Sequence, residues 1–124
     1  MKESPIFVRT YDLLLWLIPS TVKFPREYRF GMAMRLQQSA LDFQERIIEA
    51  ALSDGSALNR NLSRADIELA KLRFHVRLCR DLRLFSLGQY EHISRIVVEV
   101  GKLLGGWIGR TKRDCNHDSK GRIE

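Results

Sequence analysis

A chain of 124 residues that is 44% hydrophobic and 29% charged is one domain's worth of sequence, able to bury a core without disulfide staples. That composition excludes disordered and collagen-like chains. Lys and Arg number 21 against 15 Asp and Glu, a net charge of +6, and this balance favours an anionic partner, nucleic acid first, over a merely solvated basic surface.

Proline, glycine and capping residues divide the chain into four predicted helices. The first runs from about Pro5 to Ile18, with Ser4 as its cap and Pro5 in the first turn, and Pro19 is expected to stop it. The longest apolar run, Leu13 to Ile18, falls far short of the roughly 20 residues a bilayer requires. Glu3, Arg9 and Asp12 in and around it, with no small-residue cleavage site after it, speak against a secretory signal. The second helix runs from Pro25 to about Leu52 and is followed by a polar loop from Ser53 to Leu62. The third starts at Ser63 as N-cap and continues to about Phe85; Gly88 marks the next break. The fourth covers Gln89 to Trp107, where Ile93, Ile96, Val97, Val100, Leu103, Leu104 and Trp107 repeat at helical spacing. The expected fold is all-α, an up-down-up-down four-helix bundle over residues 4–109, with residues 110–124 a basic, disordered tail.

The third helix carries two apolar stripes. Ile67, Phe74, Leu78, Leu82 and Phe85 fall within about 80° on the helical wheel and read as the core stripe. Ala65, Leu69, Leu72, Val76 and Cys79 cluster on nearly the opposite side. A bundle helix needs one buried stripe, so Leu69, Leu72, Val76 and Cys79 are expected to form an oligomer interface. The second helix is similarly broad: Phe30, Met34, Leu41 and Ile48 make one row, and Met32, Leu36, Phe43, Ile47 and Ala50 widen it. A single broad face, deeply buried in a compact bundle, is the alternative for both helices.

Arg73, Arg77 and Arg80 have i, i+4, i+7 spacing and lie within about 60° of one another, with Arg83 one turn further and somewhat off the row. Stacked guanidinium groups present planar forks suited to phosphate oxygens, although Asp81 is placed to pair with Arg77. Lys23, Arg26 and Arg29 form a second basic cluster at the entry to the second helix. These seven residues are the expected nucleic-acid contacts.

Catalytic constellations are missing from the sequence. Asp42, Glu45 and Glu49 share one helix face without a facing carboxylate or His. His75 and Cys79, four apart, with Cys115 and His117 in the tail, make a poor zinc pattern, because closed zinc sites use tighter ligand pairs. The Gly105–Gly109 stretch lacks the strand and Lys of a phosphate cradle. Neither a metal nor another cofactor is expected, and Cys79 and Cys115 read as reduced thiols of a cytoplasmic protein.

Three stretches carry a family resemblance: Tyr11-Asp-Leu-Leu-Leu-Trp-Leu-Ile-Pro19 followed by Phe24-Pro25-Arg-Glu-Tyr-Arg29-Phe30; the third helix from Leu62-Ser-Arg-Ala-Asp through Arg77-Leu78-Cys79-Arg80-Asp81-Leu82; and Tyr90-Glu-His-Ile-Ser-Arg-Ile with Val100-Gly-Lys-Leu-Leu-Gly-Gly-Trp107. Over about residues 8 to 110 the chain resembles the accessory variability determinant (Avd) of diversity-generating retroelements. Wider relatives are the four-helix proteins encoded in intervening sequences of ribosomal RNA genes. Their second helix typically ends Asn-Ile-Ala-Glu-Gly, whereas here Arg46-Ile-Ile-Glu-Ala50 stands. The resemblance implies a basic, barrel-like homopentamer that binds the element's reverse transcriptase and template RNA in mutagenic retrohoming, with no catalysis of its own. A structural homo-oligomer that meets only proteins is the competing expectation.

Overall fold

The computed structural model describes the backbone of residues 4–122 and the side chains of residues 4–114. It is all-helical: α1 (Pro5–Val22), α2 (Arg26–Tyr28), a π-helical turn (Arg29–Ala33), α3 (Met34–Ala51), α4 (Gly55–Asp81) and α5 (Leu87–Arg122). The one-turn α2 feeds through the π turn into α3, so the architecture is a four-helix bundle. Helix α1 packs on α3 and α5, and α4 packs on the same two, leaving α1 and α4 diagonally opposed. Neighbours run antiparallel. Gln37 Nε2 donates to Thr21 Oγ1 at 2.7 Å between α3 and α1, and Arg9 Nε donates to Glu99 Oε2 at 2.7 Å between α1 and α5.

Each helix is held by an apolar residue every third or fourth position, the spacing that keeps one seam facing the bundle axis. In α3 the buried series is Leu36, Ala40, Phe43, Ile47 and Ala50; in α4 it is Leu62, Ala65, Leu69, Leu72, Val76 and Cys79; in α5 it is Ile93, Val97, Val100 and Leu104. At one end an edge-to-face pair, Phe24 and Phe85 with centroids 5.3 Å apart, joins the link after α1 to the turn after α4. Trp16 lies 5.7 Å from Phe85 on the same cluster.

Four expectations need correction. Helix α1 does not stop at Pro19 but includes it and ends at Val22. Pro19 and Leu15 face solvent, so the Leu15 carbonyl that loses its helical partner can turn to water. Helix α4 begins at Gly55, not Ser63. Leu58 and Leu62 extend its apolar seam backwards, Gly55 takes the positive φ of 57° that the entry requires, and Asn61 Nδ2 donates to Ser53 Oγ at 3.2 Å. Helix α4 also ends earlier, at Asp81, in a Schellman turn: the Leu84 N–H bonds the Cys79 carbonyl at 2.8 Å and the Arg83 N–H that of Arg80 at 3.0 Å. Finally, α5 runs through its glycines, so residues 110–122 are helical rather than structureless. Trp107 packs on Phe7 at 6.4 Å and ties the part of α5 before that stretch to α1. Among the described residues no helix is long and apolar enough to cross a membrane.

The most consequential correction concerns the two stripes of α4, which exchange roles. Ala65, Leu69, Leu72, Val76 and Cys79 are buried within the chain, so Leu69, Leu72, Val76 and Cys79 cannot be an interface between folded subunits. The outward stripe is Ile67, Phe74 (69% exposed), Leu78 and Leu82. Continuity decided against bulk: the buried series repeats without a gap from Leu62 to Cys79, while the outer one is broken by Ala70 and Lys71. Phe85 leaves the outer stripe because it lies beyond the Schellman turn, which folds it back into the core.

Truncating Leu72 to Ala should therefore cost about 2–5 kcal/mol in urea unfolding, the range for deleting a buried leucine side chain. Leu72→Asp should abolish most helical circular dichroism, while Ile67→Asp should retain it.

Candidate nucleic-acid interface

The Arg73, Arg77 and Arg80 row lies on the side of α4 that turns toward α5. The seam fixes this, because the row is roughly 80° from the buried series on the wheel. Between the two helices runs a groove of about 260 Å³. Arg73 and Arg77 line its α4 side and Tyr90 and Ser94 its α5 side; Val76 and Val97 form a buried apolar floor, and Val98, half-exposed, is an apolar edge on α5. The Arg73 guanidinium lies across the α5 backbone at Gly101, where any Cβ would run into it.

The arginines of the row are not equivalent. Arg80 is tied down: its guanidinium carbon sits 4.7 Å above the Tyr90 ring centroid, and its Nε donates to Asp81 Oδ1 at 2.9 Å. Asp81 thus pairs with Arg80 and not with Arg77 as the spacing allowed. Arg73 and Arg77 are exposed, and neither has a carboxylate partner among the described residues. Arg83 is not on the row, because it occupies the left-handed position of the turn after α4, with φ 62°. In the second cluster Arg29 Nε donates to the Phe24 carbonyl at 3.0 Å. Lys23 and Arg26 are exposed at the end of the bundle where Phe24 meets Phe85, which is also the end that carries Arg83.

Tyr90, Ser94 and Gly101 escaped the sequence reading. They recur on one side of α5 at intervals of four and seven, with Val97 and Val98 between, and that pattern of small and half-polar residues facing an arginine row was the available signal.

His75 and Cys79 do not assemble a metal centre. Among the described residues no group of three or more His, Cys, Asp and Glu could hold an ion; the side chains of Cys115 and His117 lie outside the described residues. Burial pushes the Cys79 thiol up to about 12, far from the thiolate that metals and electrophiles require. The His75 ring sits at the α3–α4 contact, its Nδ1 3.5 Å from Ser39 Oγ. Its pKa is lowered, first by burial and then by the nearby Arg35 and Lys71 charges.

The model of a family described as bAvd-like matches residues 6–111. A crystal structure of a protein of unknown function from the S23 ribosomal protein family of Bacteroides thetaiotaomicron is similar in fold, with a TM-score of 0.74 at 19% identity, over 83% of this chain and 97% of that one. No curated protein matches the chain.

A depressed histidine favours the folded state when neutral, so that contribution is present above pH 6.5 and lost as pH falls below it. The urea midpoint should drop between pH 7.5 and pH 5.5, and His75→Gln should flatten the drop.

Proposed function

The chain belongs to the bAvd-like family, and from that membership we propose that it is a non-catalytic accessory protein of a diversity-generating retroelement, a homo-oligomer that holds template RNA and the element's reverse transcriptase together during mutagenic retrohoming. The observation that carries the RNA-binding part is the pair of carboxylate-free guanidinium groups, Arg73 and Arg77, on an open groove of a chain with net charge +6. Guanidinium forks bind phosphate oxygens two at a time and release condensed counterions, which supplies affinity without reading sequence. Holding a template in place calls for no reacting group, and the site contains cations, a ring and a hydroxyl.

Two exposed apolar faces support assembly. One is the outer stripe of α4, with Ile67, Phe74 and Leu78; the other joins α1 and α3, with Tyr11, Leu15, Met34 and Leu41. The first lies on α4 and the α1 part of the second lies diagonally across the bundle from it, while the α3 part belongs to the helix that packs beside α4. Unlike faces that meet head to tail generate rings when the rotation closes, and a ring repeats the arginine row about its axis, strengthening its field. Five copies is the number the family resemblance implies. The same apolar faces favour the second reading, a structural oligomer that binds only proteins.

Salt dependence separates the two. Arg73→Glu with Arg77→Glu should weaken RNA binding and flatten the slope of log affinity against log salt by about one unit per lost phosphate contact. Assembly mass should stay unchanged, and Lys23→Glu with Arg26→Glu provides the comparison for general loss of charge. Unaltered affinity in an intact assembly would assign the row to a protein surface. In sedimentation, Ile67→Lys with Phe74→Lys should reduce the assembly to 14.4 kDa monomers with helical content retained; an undiminished mass would exclude the α4 stripe as an interface.

A further inference from the structure

We propose that the α4–α5 groove seats one unpaired nucleotide of a single-stranded RNA, its base against the exposed Val98 edge and its phosphate between Arg73 and Arg77. The inference rests on the RNA-binding reading above and adds a preference for unpaired over duplex RNA. A row of arginines alone makes no such distinction, because both forms offer phosphates. The groove adds what a phosphate site does not use. Three valines line it beside the arginines, and Val98 among them is 51% exposed.

The Tyr90 side of the groove is built. Arg80 covers the Tyr90 ring and is fixed in turn by Asp81, which presents a flat guanidinium–phenol stack. Ser94 adds a hydroxyl on the same wall, able to donate to or accept from a base edge. On the opposite lip Gly101 lets the Arg73 guanidinium lie down on α5, so that it borders the groove. A flat ring with a polar edge, linked to an anion, matches this combination of surfaces. A purely apolar ligand would leave the two cations without a counter-charge, and a free phosphate would leave the Val98 edge uncovered. A base within a duplex is stacked on both faces and paired at its edge, so it cannot enter.

The test fills the groove without altering charge or adding an aromatic surface. Ser94→Leu with Val98→Leu places two good helix formers at partly exposed positions. The probes are a single-stranded RNA and a hairpin duplex RNA of equal phosphate number, measured against the full chain in its native assembly. The expected result is about a tenfold loss of single-strand affinity, the lower end of the range for a base on an aromatic face because Val98 offers an aliphatic one, with duplex affinity and both salt slopes unchanged. Arg73→Glu with Arg77→Glu should weaken both probes. If the groove-filling variant leaves both affinities intact while the arginine variant weakens both, the row binds RNA through phosphate alone and the nucleotide seat is overturned. If the arginine variant changes neither, the RNA-binding reading itself fails and the seat with it. Equal losses for both probes in the filled variant, with assembly mass unchanged, would also overturn it.

Discussion

The seam of α4 decides how every other surface of this molecule faces. Once Leu62, Ala65, Leu69, Leu72, Val76 and Cys79 turn inward, the helix has no rotational freedom left. Ile67, Phe74 and Leu78 must point away from the bundle, and Arg73 and Arg77 must look toward α5. The inward set is the less bulky of the two, with Ala, Val and Cys among its members. It wins because an apolar residue every third or fourth position over the whole length of a helix removes more surface from water than a few large side chains with a polar gap between them. Small residues also let α3 and α4 approach closely, and Ala40 and Ala50 answer from the facing helix.

That result marks where reading the sequence reached its limit. The helical class, the number of helices and the seam of α5 are legible from periodicity. On the second predicted helix the row that reads first, Phe30, Met34, Leu41 and Ile48, faces solvent, and Leu36, Phe43, Ile47 and Ala50 form the seam instead. The orientation of α4 is not legible either, because the stretch before Ser63 is polar enough to pass for a loop. Truncating the helix there removes Leu58 and Leu62, the two residues that show which stripe is continuous. Pro19 misled for a related reason: a helix tolerates a proline more readily where the freed carbonyl can turn to water, and exposure is a property of the packed molecule. The arginine row was legible as a row. Which of its members is free was not, since Arg80 finds its ring on a helix that follows a turn, and sequence spacing carries no information across that turn.

The electrostatics of the groove follow from unequal local pairing. Acidic residues serve α1, α3 and the middle of α4: Asp12 and Glu99 take Arg9, Glu49 takes Arg46, and Glu68 takes Lys71. The last turn of α4 has Asp81 alone, and Arg80 occupies it. Arg73 and Arg77 are thus left without a carboxylate partner among the described residues, although each ion pair is itself solvent-exposed and contributes little to stability.

The π turn from Arg29 to Ala33 carries a consequence for how this chain tolerates insertion and deletion. A π turn holds one residue more than the α-helical ladder around it requires. Removing a single residue between Tyr28 and Met34 would leave an ordinary α-helix that still delivers Leu36 and Ala40 to the core. The same deletion in the middle of α3 or α4 would rotate everything beyond it by about 100°, carrying the apolar seam off the bundle axis. Among the described residues, the segment joining the first helix to the second is thus where the length of the helical body can change by one without changing which residues face which.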